Sequence, residues 1–394
     1  MLSSFAQQAI PYWRLSGFYF FYFAVVGALI PYWGVYLKSL GYSSQDVGVI
    51  SAIILATRII APNFWGWLAD RTQKRLRIIR IGSFLAMLIF AGVLVDSRYW
   101  WLVMVVSCYT FFWHAVLPQF EVITLGYLGN DYSRYGQIRL WGSMGFMVAV
   151  VGLGWVFDLF PIHYLPIFIL SFLALIWLSS LSLKDMTVRQ HAPVRSGILA
   201  IVMQPTVLCF LVVSFLLQFS HGPYYTFYTL YLVDNYGYSR SSAGLLWALG
   251  VLAEVAIFIV MFKLLQLFSL RGLLLFSLLI TTLRWLLIGY AAESLVILLA
   301  AQLMHACSFG VAHSVSIELV RNYFSGGHQG QGQALYSSFS FGAGGAAGAL
   351  AGGMMWDGSA TNTFVVAALS AGIALVVCYL WLHPSHHDLR GNIK

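Results

Sequence analysis

Residues 184–197 read KDMTVRQHAPVRSG. They form the longest clearly polar stretch of a 394-residue chain that is otherwise 60% hydrophobic and 9% charged. On the N-terminal side lie six apolar segments, near 14–37, 46–68, 78–96, 100–124, 138–158 and 164–183. Six more follow, near 206–233, 242–265, 272–291, 294–320, 332–354 and 362–382. Each runs about 20 residues, the helical length that crosses a ~30 Å hydrocarbon core. The reading is an all-α integral membrane protein of twelve transmembrane helices. A bundle over 1–184 and a bundle over 199–394 flank a cytoplasmic linker at 185–198.

A mean hydropathy of +0.82 excludes an ordinary soluble domain. Basic residues set the orientation. Fifteen of the 21 Lys and Arg fall in the loops and tails of one side. Lys38, Arg98 and Arg240 fall on the other, and Arg58, Arg139 and Arg284 lie inside the spans. The positive-inside rule then puts both termini in the cytoplasm. It also accounts for the basic pI of 9.3 through anionic headgroups rather than nucleic acid. The first apolar stretch is too long for a cleavable signal core and lacks a small-residue cleavage site. Cys108, Cys209, Cys307 and Cys378 are widely spaced within spans and read as small apolar side chains.

The two halves carry a repeat. Gly41-Tyr42-Ser43, followed by Gly48, recurs as Gly237-Tyr238-Ser239, followed by Gly244, at an offset of 196. The same offset carries Tyr32 onto Tyr228 and Arg58 onto Glu254. Parallel repeats of this kind build transporters that bind substrate at the midplane between halves.

Arg58, Arg139, Arg284, Glu121 and Glu254 are the residues most at odds with a hydrocarbon surrounding. A charge at mid-bilayer costs roughly 2.5–3.5 kcal/mol on insertion scales. Keeping several charges of both signs implies a polar, water-accessible cavity, as a transporter has. No phosphate-cradling loop with lysine, nucleophile elbow or histidine–glutamate zinc signature appears, so neither an ATP-driven pump nor an enzyme is expected.

At the junction of spans two and three stands Gly66-Trp67-Leu68-Ala69-Asp70-Arg71-Thr72-Gln73-Lys74-Arg75. It resembles the cytoplasmic signature of the major facilitator superfamily, with Gln73 where the second glycine belongs. In that reading Gly66, Asp70, Arg71, Lys74 and Arg75 serve gating. Gly66 admits close helix approach, and Asp70 caps the next helix or pairs with a base across the half interface.

Tyr135-Gly136-Gln137-Ile138-Arg139-Leu140-Trp141-Gly142-Ser143 resembles the start of the fifth helix in lactose permease and the phenylpropionate permeases. Eighteen residues before Arg139 stands Glu121, the spacing of the sugar-binding pair of lactose permease. Glu254 matches that family's eighth-helix glutamate, and Arg284 and His305 match its proton-coupling arginine and histidine. Ser308 replaces the proton-bearing glutamate, and span eleven lacks the lysine. The phenylpropionate branch is the nearer likeness, through Trp33-Gly34-Val35-Tyr36-Leu37-Lys38, Arg58, Ala253-Glu254-Val255, Arg284-Trp285, His305 and His313.

The resemblance implies a secondary carrier, a proton-coupled symporter of an aromatic carboxylate such as 3-phenylpropionate, working by alternating access. A sugar or nucleoside symporter is the alternative. Substrate would meet Arg139, Glu121, Glu254 and Arg58, with Arg139 the carboxylate ligand. Glu254, Arg284, His305 and His313 would handle the proton. Expected partners are the solute, the proton and the bilayer of a bacterial inner membrane, around a monomer without cofactor or metal.

Each residue also has a plainer reading. Glu121 and Arg139 can form a static buried ion pair that locks two helices. Glu254, flanked by apolar residues that favour its neutral form, can carry a proton or simply partner Arg139 or Arg58. His305 and His313 share roughly one helix face, as a relay or as separate hydrogen-bonders. Eight residues span ~12 Å of helix, too far for one metal. His114 is a further cavity candidate, and Glu318 reads as interfacial. Tyr19, Tyr22, Tyr32, Trp113, Tyr224, Tyr225, Tyr228 and Trp247 are either membrane-belt aromatics or stacking partners for a ring. Gly344, Gly348 and Gly352 at four-residue steps make a smooth face for close helix packing, or for the halves to rock upon.

Overall fold

The computed structural model describes residues 10–382 except 130, 132, 185–196 and 326. The linker at 185–198 therefore lies almost wholly outside the described residues. With no water to satisfy backbone groups in hydrocarbon, a spanning chain must close its hydrogen bonds within each segment. The described elements are accordingly all helical.

The spans are α1 Tyr12–Ser39, α2 Ser44–Thr72, α3 Arg75–Leu94, α4 Tyr99–Leu128, α5 Arg134–Leu159 and α6 Ile162–Leu181. The second half holds α7 Pro205–Asn235, α8 Arg240–Leu267, α9 Leu270–Ala291, α10 Leu295–Tyr323, α11 over 329–356 and α12 Ala360–Trp381. Eleven of these are long and apolar enough to cross a bilayer by composition. The remaining one, α11, is helical throughout but rich in Gly, Ser and Gln.

The repeat seen in the sequence is built into the turns. Gly41 and Gly237 adopt φ of +89° and +70°, which a glycine takes without steric cost. Ser43 and Ser239 then cap α2 and α8, each accepting from the backbone N–H three residues on. Tyr42 donates to the Ser97 carbonyl, and Tyr238 donates to that of Glu293, again 196 residues apart.

Pairing between halves follows the same pseudo-twofold rule: α2 packs on α11, α5 on α8, and α1 on α7. In each half the third and sixth helices stand outside, α3 against α6 and α9 against α12. Side chains such as Trp100, Trp155, Phe262 and Met354 are exposed on the lipid-facing surface.

The glycines of α11 divide their work. A Cβ at Gly344 or Gly348 would sit 2.5 or 2.0 Å from the carbonyl oxygens of Phe215 and Phe219. That face is thus fastened to α7 inside its own half. The sliding surface between halves lies beside it, where a Cβ at Gly353 would fall 2.8 Å from the Gly48 Cα of α2. The stripe expected to let the halves rock is therefore an internal seam.

Candidate functional site

A cavity of about 1100 Å³ lies between the halves. Tyr22 and Trp33 of α1, Arg58 of α2, Trp113, His114 and Glu121 of α4, and Gln137 and Arg139 of α5 form one wall. Gln218, Tyr224 and Tyr225 of α7, Trp247 and Glu254 of α8, His305, Phe309 and His313 of α10, and Gln333 and Phe341 of α11 form the other. Arg58 and Glu254, equivalent in the repeat, thus face one space from opposite halves.

The cavity reaches the exposed Gly136, Gln137 and Gln333, near the loops that carry the excess of basic residues. Towards the opposite face it is closed by contacts between halves. Asp158, at the end of α5, accepts from the backbone N–H of Arg240 at 2.7 Å and of Ser241 at 3.1 Å, the N-terminus of α8. Arg240 donates in return to the Phe157 carbonyl at 2.8 Å. In the pseudo-equivalent place beyond α11, Asp357 accepts from Ser44 Oγ at 2.5 Å, on the first residue of α2. In the layer below, Tyr32 donates to the Val150 carbonyl of its own half at 2.5 Å and reaches the Arg240 carbonyl of the other half at 3.5 Å.

Among the described residues no ion pair joins Glu121 to Arg139. The static lock, the plainer of the two readings of this pair, is not formed here. The Arg139 guanidinium instead lies over the Phe23 ring, 4.0 Å from its centroid, with Tyr19 at 5.6 Å. Glu121 and Arg139 both remain on the cavity wall with Tyr135 beside them.

Glu254 pairs with neither arginine at ion-pair distance; its neighbour is His305 Nε2 at 3.5 Å. Arg139 and His313 lie within electrostatic reach of the same carboxylate. His305, Phe309 and His313 stack in register, with ring centroids 5.4 and 5.8 Å apart and planes within 17° and 12°. A π-helical stretch at Ala306–Val311 wraps this part of α10. The two histidines therefore do share a face, separated by an aromatic ring.

Arg284 is not on the cavity wall. It is fully buried, donating to the Ala301 carbonyl at 2.8 Å, Ser308 Oγ at 3.2 Å and Gln302 Oε1 at 3.3 Å. Its guanidinium sits 4.4 Å from the Tyr224 centroid and 4.5 Å from that of Trp285. Gln302 also accepts from Tyr224 at 3.0 Å and donates to Tyr228 at 2.5 Å. This network holds the aromatic wall of the second half. Gln302 was not legible as functional, since a lone glutamine in an apolar span has no sequence signature.

The junction residues make contacts within their own half. Asp70 pairs with Arg75, which also donates to Gln119 of α4, while Arg71 lies 5.6 Å over the Trp67 ring. Gly66 faces Gln119, whose Nε2 would be 3.9 Å from an added Cβ. Lys74 is the residue before α3, exposed beside them. Glu318 pairs with Arg321 at 2.9 Å at the end of α10, in keeping with an interfacial position.

The profile of the MFS_1 like family matches residues 12–366. The "Probable 3-phenylpropionic acid transporter" of Escherichia coli (strain K12) is 27% identical over 335 residues, covering 84% of this chain and 87% of that protein. The maltose permease of Geobacillus stearothermophilus is 27% identical over 370 residues, covering 91% and 92%. In fold, the crystal structure of the nucleoside transporter NupG superposes with a TM-score of 0.79 at 18% identity, covering 94% of this chain and 98% of that one. The chain belongs to the MFS_1 like family and is a multi-pass transporter of the major facilitator fold.

Proposed function

We propose that the protein is a proton-coupled symporter of a small aromatic carboxylate, with 3-phenylpropionate as the representative solute, in a bacterial inner membrane with both termini cytoplasmic. The observation that carries this reading is the state of Arg58 and Arg139. Both line the central cavity, and among the described residues neither has a carboxylate within 4.0 Å. A buried cation without a counter-ion is costly, and an anionic ligand relieves that cost. A guanidinium fork matches a carboxylate bidentately. The walls around the arginines are aromatic, with Tyr22 stacked on Trp113 at 5.1 Å and Tyr225 beside Trp247 at 6.4 Å. Ring faces of this kind suit a ligand ring.

On this reading Glu254, with His305 and His313, carries the proton, and Arg284 braces the wall that positions them. The inward charge of the proton offsets that of the anion. The Asp70–Arg75 corner belongs to the cytoplasmic gate, and the carrier works as a monomer.

A sugar or nucleoside symporter is the second reading, supported by Glu121, Glu254 and Gln137 on the wall and by the maltose permease likeness. Uptake of labelled 3-phenylpropionate, maltose and uridine into cells expressing the protein, with and without an uncoupler, separates the two. The proposal expects uncoupler-sensitive uptake of the carboxylate alone. Uptake of maltose or uridine in its place overturns it.

A further inference from the structure

Among the described residues, Arg58 is tethered by only one of its nitrogens. Its Nε donates to His114 Nε2 at 3.4 Å, and His114 Nδ1 lies 3.0 Å from Thr57 Oγ1. Thr57 in turn donates its hydroxyl to the Ile54 carbonyl at 2.9 Å. The direction of this chain is fixed by donor inventory. Arginine has no acceptor, so His114 Nε2 must be the bare lone pair. The ring proton then sits on Nδ1, and Thr57 Oγ1, its own hydrogen committed to Ile54, accepts it. His114 is a neutral strut with one tautomer enforced from both ends.

The consequence lies at the other end of Arg58. Nη1 and Nη2 have no protein acceptor among the described residues, yet they are not among the buried polar atoms left without a partner. They face the cavity. A carboxylate in the place of His114 would neutralise the guanidinium from its side edge. A histidine fixes its direction and leaves its charge uncompensated.

Resting on the reading of the cavity as an anion site, we propose that His114 is a positioning residue for substrate recognition: a tautomer-locked neutral imidazole that aims the Nη1–Nη2 fork of Arg58 at the carboxylate of the transported solute. Trp113, its ring 5.1 Å from that of His114 and stacked on Tyr22, belongs to the same part of the cavity lining. The site prefers an anion over its neutral amide because the fork is pre-aimed and otherwise unsatisfied.

The test is equilibrium binding to the purified full-length protein in nanodiscs, using 3-phenylpropionate, hexanoate and the neutral 3-phenylpropanamide. Wild type, His114→Phe and His114→Gln are compared, glutamine keeping an acceptor and a donor on the strut. Losing a charge-assisted orientation corresponds to ~10–100-fold in affinity. His114→Phe is expected to weaken carboxylate binding by that factor and leave the amide unchanged, which a misfolded protein would not do. His114→Gln is expected to restore carboxylate binding to within about threefold. Carboxylate binding unaffected by His114→Phe overturns the inference and leaves the proposed function standing. Hexanoate binding that depends on His114, with 3-phenylpropionate unbound, supports the inference and overturns the aromatic reading. A wild type that binds no carboxylate overturns both.

Discussion

Arg58, Arg139 and Glu254 were singled out by their cost in hydrocarbon, and all three stand on the wall of one cavity. Arg284 met the same criterion and is instead a brace, its charge met by a carbonyl, a hydroxyl, an amide and two ring faces. Sequence marks such a charge as expensive; only packing decides whether water or protein dipoles meet the cost. Two residue predictions follow from these environments. Arg139→Lys keeps the charge but removes the planar fork resting on Phe23, and carboxylate affinity should fall about tenfold in a binding titration. Unchanged affinity would remove Arg139 from the anion site. Glu254→Gln keeps size and hydrogen-bonding while removing the titratable group beside His305. Exchange of internal for external substrate should persist while accumulation against a gradient is lost, as measured by counterflow and uptake in the same vesicles. Retained accumulation would mean that the proton rides on another group.

Helix pairing was legible where it depended on periodicity and turns, and illegible where it depended on which face met which neighbour. The Gly-Tyr-Ser repeat foretold two equivalent corners, and each has its left-handed glycine, serine cap and tyrosine tie. The four-residue glycine step of α11 foretold close packing, but not that Gly344 and Gly348 serve α7 while Gly353 serves α2. The latch formed by Asp158 had no signal at all, because a carboxylate in the last turn of a helix is ordinary until its partner is known. Its position is favourable on two counts: two charge-assisted bonds to backbone N–H groups, and a negative charge at a helix N-terminus. Asp158→Ala should therefore loosen the closed face. Each lost bond is worth roughly 1 kcal/mol, about a fivefold shift in population. Thiol labelling of a cysteine placed at Ser51, on the cavity wall, should accelerate by at least that factor from the side carrying Lys38 and Arg98. No change in labelling would show that the face is held by other contacts.

At the scale of the whole molecule, the two halves meet through pseudo-equivalent helix pairs, α2 with α11 and α5 with α8. Their closed contacts gather on one face, and the cavity reaches towards the other. A repeated unit can in principle adopt the complementary arrangement, closing the basic face and opening the opposite one around the same wall residues. The twelve-span architecture and the existence of a charged cavity were legible from composition, spacing and loop charge. The degree to which that cavity is already closed on one side was not, because the two arrangements share one sequence.

On the proposed reading, the charged vestibule moves a carboxylate together with a proton. This is tested most directly in proteoliposomes holding the purified protein, with labelled 3-phenylpropionate outside and an imposed inward proton gradient. Concentrative uptake that an uncoupler abolishes, and that Glu254→Gln lacks, is the expected result. Uptake that never exceeds equilibration, or that proceeds equally without the gradient, would contradict it.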